Sequence, residues 1–349
     1  MSDPGISGVA TTPKSIAEEV PANLTPLVSI SIITYNQVQW IRASVESALA
    51  QDYPHLEIVV ADDASTDGTT DVVQSLALEY PDIVKPVLSQ VNEGITRNSN
   101  KALRQCAGKY VALCAGDDML LPGKIRKQVA WMEEDDRRVL CGHYVRVEDS
   151  ESTFIGVNRT GTAGEYGTGA SAIVRNGHDS TFTGSSVMVR RSRIPTGGFD
   201  ERMHLASDWK FIIDVVGGNG EWGTVQEVLS VYRRHAGNVT RLRQGEIWED
   251  MKLTLDVLAT EQPCLRHAID QIRPRYDYEC QKWRYLDHVP ATNPLRVLRA
   301  VVRPPLGVRR LKALALFAVM VVPLPPIRRV LNARWRSSQN GVPPNLHDV

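Results

Sequence analysis

The chain has 349 residues, 40 basic and 40 acidic side chains and an apolar share of 42%, as expected of a soluble globular protein with a sizeable core. Five cysteines, at 106, 114, 141, 264 and 280, form no CxxC pair and no metal-ligand spacing, which sets aside a thiolate-held metal. Their odd number, with no signal-peptide pattern, leads us to expect reduced thiols in a cytoplasmic protein. The neutral total conceals an asymmetry, because residues 288–346 hold ten Arg and Lys and no acid.

Residues 1–26 are polar, small and proline-punctuated and are expected to form a disordered lead-in. Apolar runs of strand length then alternate with amphipathic stretches. The pattern predicts strand 28–33, helix 39–50, strand 56–61, helix 69–79, strand 83–88 and helix 95–106. A strand from 110 stops at Asp117, and a helix follows over 122–134. Such alternation implies βαβ units and a parallel sheet covered on both faces, with ligands at the carboxyl ends of the strands. After a strand at 139–147 the pattern changes. Residues 156–179 are rich in Gly and Thr and read as a long mobile functional loop. Strand 182–190, helix 207–216 and strand 225–233 come next, and helices dominate 244–287. The expected division is a lead-in (1–26), an α/β domain (27–240) and a helical extension with a basic, apolar tail (241–349).

Three clusters carry chemistry. The run 110–114 ends in Ala115-Gly116-Asp117-Asp118, and adjacent carboxylates repel unless a cation or donors meet them. A hard ion such as Mg or Mn, itself carrying substrate phosphates, is the natural counter-charge. An acidic turn with Asp118 capping the next helix is the plainer alternative. Strand one ends in Thr34-Tyr35-Asn36 and strand two in Asp62-Asp63-Ala64-Ser65-Thr66-Asp67-Gly68. The latter mimics the start of an EF-hand loop, but its twelfth position is Gln74 and a strand precedes it. No GxGxxG follows strand one, so a dinucleotide fingerprint is also missing. A carboxylate just past a strand can instead accept from a base N–H or ribose hydroxyls. An Asx-turn with Ser65 or Thr66 capping a helix fits the same residues.

The ordered set of motifs resembles the family 2 glycosyltransferases. It comprises Ser31-Ile32-Ile33-Thr34-Tyr35-Asn36, Asp63-x-Ser65-x-Asp67-Gly68, Asn92-x-Gly94 with Asn100, and Ala107-Gly108-Lys109-Tyr110 before Gly116-Asp117-Asp118 and Pro122. Gly197-Gly198-Phe199-Asp200 with Ser207-Asp208, and Tyr232-Arg233-Arg234-His235, complete it over about residues 27–240. The resemblance implies a GT-A fold, an α/β nucleotide-diphospho-sugar transferase-like sandwich with a mixed, mainly parallel sheet and a helical C-terminal extension. It implies Thr34, Tyr35 and Asp63 around the nucleotide base, with Asp62 assisting, and Asn92, Gly94, Asn100, Asp117 and His235 as further donor-binding residues. Asp117, Asp118 and His235 are implied as seats of a divalent Mg or Mn ion. Ala115 stands where the family carries the first acid of its metal element, so that contact falls to Asp117, a water or another group. Asp208 is implied as the base of an inverting transfer, and an N-cap at Ser207 would set it on a first helical turn. Asp200 reads as a turn or acceptor-side residue, and Trp209 and Trp222 as core.

The implied activity is transfer from a UDP- or dTDP-sugar to a hydroxyl of a cell-surface glycan or lipid-linked saccharide. Nucleotidyl transfer is the alternative enzyme class, although no glycine- and basic-rich triphosphate loop follows strand one. A non-catalytic nucleotide-sugar-binding module is the third reading. In the tail, 313–327 is uncharged, apolar and broken by Pro323, Pro325 and Pro326, too short to span a bilayer. Its basic flanks suit the anionic cytoplasmic face of a membrane, and a C-terminal helical pair packing its apolar face on the catalytic domain or on a second subunit is the alternative. No nucleic-acid-binding motif accompanies it, so nucleic acid is not an expected partner.

Overall fold

The computed structural model describes residues 25–159, 166–178 and 182–286. The lead-in to residue 24 and the basic tail therefore lie outside the described residues. The first half alternates as the sequence predicts: β1 (Val28–Thr34), α1 (Ile41–Leu49), β2 (Leu56–Asp62), α2 (Thr69–Glu79), β3 (Val84–Leu88), α3 (Ile95–Gln105) and β4 (Tyr110–Ala115). A two-residue β5 (Met119–Leu120), α4 (Lys124–Glu133) and β6 (Arg138–Asp149) follow.

The stretch expected as an irregular loop is largely built. It contains the end of β7 (Phe154–Asn158), β8 (Tyr166–Thr168) and α5 (Ala170–Asn176). Its Gly and Thr residues serve short edge pairings, β7 on β6 and β8 on β10, that carry no periodic signal. The strand expected over 182–190 is only β9 (Met188–Arg190), because Gly184–Ser186 forms a 3-10 turn. That turn hands Ser185 to the backbone N–H of Ala115 and to Asp118, a local demand that overrides the alternation. Then come α6 (Ser207–Val216), β10 (Glu221–Arg234), α7 (Val239–Leu242), α8 (Gln244–Glu261) and α9 (Arg266–Leu286). β10 begins four residues before the expected strand and keeps pairing with β6 across irregularities between Val225 and Ser230.

The sheet runs β3-β2-β1-β4-β9-β6-β10-β5. Its first four strands are parallel, and β6 pairs parallel with β10, while β9 and β5 run antiparallel. The fold is thus mixed α/β with a mainly parallel central sheet. Alternate residues of β1 and β2 point to opposite faces. Val28, Ile30, Ile32, Ile58 and Val60 meet α1, α2 and α4, whereas Val59 and Ala61 share the other core with α3 and α6. Ile247, Met251, Leu255 and Leu258 of α8 and Ala268, Ile269 and Tyr276 of α9 belong to that second core as well. The first two C-terminal helices are therefore packed into the body of the domain.

Register sets the functional edge. Thr34 lies opposite Asp62, Ile33 opposite Ala115, and Asp62 opposite Leu88, so β1, β2, β3 and β4 end on one line. From β1 the chain travels outward to β3 and returns to β4 on the other side of β1. Loops diverge at that reversal, the position where ligands collect in open α/β sheets.

Candidate active site

At the carboxyl edge of β2, buried Asp63 accepts the backbone N–H of Glu93 at Oδ1 (3.0 Å) and of Gly94 at Oδ2 (2.8 Å). Gly94 has φ +91°, a left-handed conformation that glycine adopts without strain, and it starts α3. Asn92 Oδ1 accepts the same Gly94 N–H at 3.1 Å. Asp62 is spent differently. Its carboxylate accepts the hydroxyls of Ser65 and Thr70, both at 2.5 Å, and so fixes the entry to α2. Asp67 binds Thr69 and the N–H of Val38, and these bonds hold its carboxyl below the usual range despite some burial. The expected capping by Ser65 or Thr66 is replaced by Gly68 at the N-cap. Asn36, at φ +51°, donates its N–H to Ser65 Oγ and accepts that of Thr66, stitching the loops after β1 and β2 together. Thr34 is buried and Tyr35 is 46% exposed. Asn100 lies off this edge, with its amide closed on both the N–H and the carbonyl of Phe199.

Next to it, Gly116 brings the β4 loop against β1. A Cβ there would stand 2.8 Å from Thr34 Cβ and 2.5 Å from Gln37 Oε1. This close approach sets Asp117 beside the end of β1. Asp117 Oδ2 receives His235 Nε2 at 2.9 Å and Asn238 Nδ2 at 3.2 Å. His235 Nδ1 accepts the Gly237 N–H at 3.1 Å, which assigns the ring proton to Nε2, facing Asp117. Asn238 also donates to the Arg233 carbonyl and accepts the His235 N–H, closing the turn. Trp40 lies between the His235 ring (centroids 5.8 Å apart, 28°) and the Arg233 guanidinium (4.4 Å).

Asp118 has another environment. It is buried, accepts the Ser185 hydroxyl at Oδ2 and accepts the Arg233 N–H at Oδ1 (3.0 Å). Burial and the neighbouring Asp117 charge push its carboxyl up to about 8, against the donors from Ser185 and Arg233. Among the described residues no group of three His, Cys, Asp or Glu side chains forms a closed metal cage. Asp117 and His235 do suit an open site. Two ligands about 2.1 Å from an octahedral ion and at adjacent corners sit about 3.0 Å apart, and a substrate diphosphate with water can complete such a shell. The 2.9 Å between Asp117 Oδ2 and His235 Nε2 matches that spacing, and ligation through Nε2 would move the ring proton to Nδ1 and release the Gly237 N–H.

The candidate base lies on α6. Asp208 is 41% exposed in its side chain, and its Oδ1 accepts the N–H of Trp209 at 2.9 Å. Ala206 is the N-cap instead of Ser207, whose hydroxyl pairs with Thr96 Oγ1 of α3 at 2.9 Å. Thr96 also donates to the carbonyl of Met203, while Asp250 of α8 accepts the N–H groups of Leu205 (2.6 Å) and Ala206 (3.1 Å). Asp200 is engaged by Arg202 and Lys210, the Arg202 bond first among the causes that hold it down at about 2. Trp209 is core, parallel to Tyr276 at 5.4 Å, and Trp222 packs on Phe182. Sequence reasoning missed Trp40, Thr96, Ser185, Asn238 and Asp250. Only Asn238, three residues past the Arg-Arg-His run, had a signal that could have pointed to it.

A mixed, mainly parallel sheet with polar loops gathered at its switch point defines a GT-A-like fold. Residues 29–194 match the profile of Glycosyl transferase family 2. The chain is similar to an uncharacterized protein of Mycobacterium bovis, 32% identical over 61% of this chain and 60% of that one. It therefore spans about 60% of the length of such curated relatives. A Bacillus subtilis protein named for teichuronic acid biosynthesis as a glycosyltransferase is 38% identical over 32% of this chain and 44% of its own. Among solved structures, a Pyrobaculum calidifontis mannosyltransferase in complex with GDP-Man and Mn2+ has TM-score 0.54 and 19% identity over 91% of this chain and 85% of that one. No helix of the described residues is long and apolar enough to cross a membrane.

Proposed function

We propose that the protein transfers a sugar, with inversion, from a UDP- or dTDP-sugar to a hydroxyl of a cell-surface glycan or lipid-linked saccharide. The observation that carries this reading is the first turn of α3. Its Gly94 N–H holds Asp63 on the nucleotide side, and its Thr96 holds Ser207, next to Asp208. One helical turn thus keeps the donor-side carboxylate and the base in fixed relation.

In this reading Thr34, Tyr35 and Asp63 surround the base, and the lone pairs that Asp63 does not give to Glu93 and Gly94 accept a ring N–H. Asp117 and His235 hold a Mg or Mn ion, which neutralises charge on the leaving diphosphate when bound. Asp118 braces the loop through Ser185 and Arg233. Oδ2 of Asp208, which has no partner among the described residues, takes the acceptor hydroxyl's proton as that oxygen attacks the anomeric carbon opposite the diphosphate. The name of the Bacillus subtilis relative supports a polysaccharide acceptor, and the ten basic residues of 288–346 support docking on an anionic membrane face.

A thermal-shift panel of UDP, dTDP, GDP and their sugars, with and without Mn, tests the reading, with release of nucleoside diphosphate as the turnover assay. Stabilisation by one nucleotide class, strengthened by Mn, and consumption of its sugar are expected. The GDP arm is included because the mannosyltransferase neighbour holds GDP-Man and guanine also offers ring N–H donors. Pyrophosphate released from a nucleoside triphosphate would establish nucleotidyl transfer instead. Binding with no sugar consumed would establish a binding module.

A further inference from the structure

We propose that His178 is a positioning residue for the base, orienting the Asp208 carboxylate and relaying its proton to solvent. The inference rests on the reading of Asp208 as the base and assigns the group through which that base is reset.

His178 follows α5, 30 residues before Asp208 in the chain, and the fold brings its Nε2 to 3.9 Å from Asp208 Oδ1. Three features hold it there. Its backbone N–H donates to the Tyr276 hydroxyl at 2.8 Å. Its ring stands edge-on to Trp209, with centroids 6.3 Å apart and planes at 87°. Tyr276, fully buried, lies parallel to Trp209 at 5.4 Å and 4°. Both ends of the pair are thus fixed by one aromatic stack shared by α6 and α9. Among the described residues, the titratable and charged groups facing this turn are Asp208 of α6 and Arg275 and Tyr276 of α9, with Arg275 beside residue 177.

The two carboxylate oxygens are not equivalent. Oδ1 is turned to the Trp209 N–H and the imidazole, which leaves Oδ2 for the acceptor. During transfer the acceptor O–H bond breaks, an oxygen–anomeric carbon bond forms, and the bond to the diphosphate breaks with its electron pair leaving on phosphate. The proton lands on Asp208. Rotation of the protonated carboxyl about its Cβ–Cγ bond, or one bridging water, carries the proton from Oδ2 to neutral His178, since 3.9 Å exceeds a direct hydrogen bond. The resulting imidazolium faces a regenerated carboxylate, and its 29% exposed side chain releases the proton to water.

Turnover of the nucleotide sugar selected by the panel, measured from pH 4.5 to 9 for wild type, H178Q and D208N, gives the first test. For H178Q we expect kcat to fall about tenfold with the donor KM unchanged, a fraction of the 10²–10⁴ that a proton-transfer group supplies. The fall in wild-type kcat near pH 6.5, where a histidine protonates, should move towards the carboxylate range in H178Q. Added imidazole should restore part of the rate of H178A. H178Q with wild-type kcat and an unchanged acid limb overturns the role of His178. D208N with wild-type turnover overturns the base assignment itself. The second test needs no donor. The His178 ring is assigned in NMR spectra by its loss in H178Q, and its pKa should fall by about half a unit in D208N at low salt, as expected for a charge some 4 Å away. No change there separates the two groups and overturns the inference without touching the transferase reading.

Discussion

The proposed donor edge and the proposed base side of this domain are built by different means. At the donor edge, Thr34 ends β1, Asp63 follows β2 and Asp117 stands two residues past β4, and the register of three adjacent parallel strands brings them together. On the base side Asp208 stands on the first turn of α6, and its approach is held by Thr96 of α3 and Asp250 of α8, more than 100 and more than 40 residues away in sequence. The first arrangement is inherited from the sheet, and the second exists only once helices from both ends of the chain have packed. Damage at the donor edge should therefore act on binding, and damage on the base side on turnover and stability together.

The largest effect separates these outcomes most sharply. D208N should lower kcat by about 10³-fold, within the range for loss of a general base, while calorimetry shows nucleotide affinity unchanged. Parallel loss of affinity would show that the two sides are not independent. N238A comes next. Asn238 orients both Asp117 and His235, so Mn affinity measured with the nucleoside diphosphate present should weaken 10- to 100-fold, roughly the usual effect of removing a partner that orients a ligand. Unchanged Mn affinity would remove Asp117 and His235 as the metal seat.

D250A leaves the N–H groups of Leu205 and Ala206 without their acceptor, which should cost about 1–3 kcal/mol in urea unfolding and lower kcat with little change in donor KM. A loss of donor affinity equal to the loss of turnover would instead place α8 on the donor side. The smallest effect concerns pH. Fully buried Lys124 has one hydrogen-bond partner, Gln128, and burial lowers its pKa from 10.5 to about 8. Below pH 8 the lysine is charged in both the folded and unfolded chain, and the burial cost is fully present. Between about 8 and 10.5 the unfolded chain binds the extra proton, so this residue's contribution to stability rises with pH. K124M should be more stable than wild type below pH 8, with the gap closing towards pH 10.5 in parallel denaturation curves. A constant gap would mean that Lys124 is not titrating in the fold.

How legible these regions were follows from how they are made. The sequence by itself determined the alternation of β1 to α4, the helix of Asp208 and the sheet edge at which the carboxylates gather. Apolar periodicity and turn residues are local signals, and strands of nearly equal length in a parallel sheet must end together. It also singled out the pairs Asp62–Asp63 and Asp117–Asp118 without separating their roles. Which acid of each pair is spent inside the protein depended on Ser65 and Thr70 for Asp62, and on Ser185 and Arg233 for Asp118. Two of those donors lie 67 and 115 residues from Asp118, beyond the reach of any sequence window.

The elements between 154 and 190 were misread for a related reason. β7, β8 and the turn at Gly184–Ser186 satisfy edges and side chains elsewhere in the fold, so composition alone reads as loop or continuous strand. Only the tertiary structure decided that α8 and α9 belong to the catalytic body, that Trp40 and Asn238 frame His235, and that His178 stands beside Asp208. Each of these depends on long-range packing, where the energy comes from burial and hydrogen bonds between segments that carry no mark of one another in the sequence.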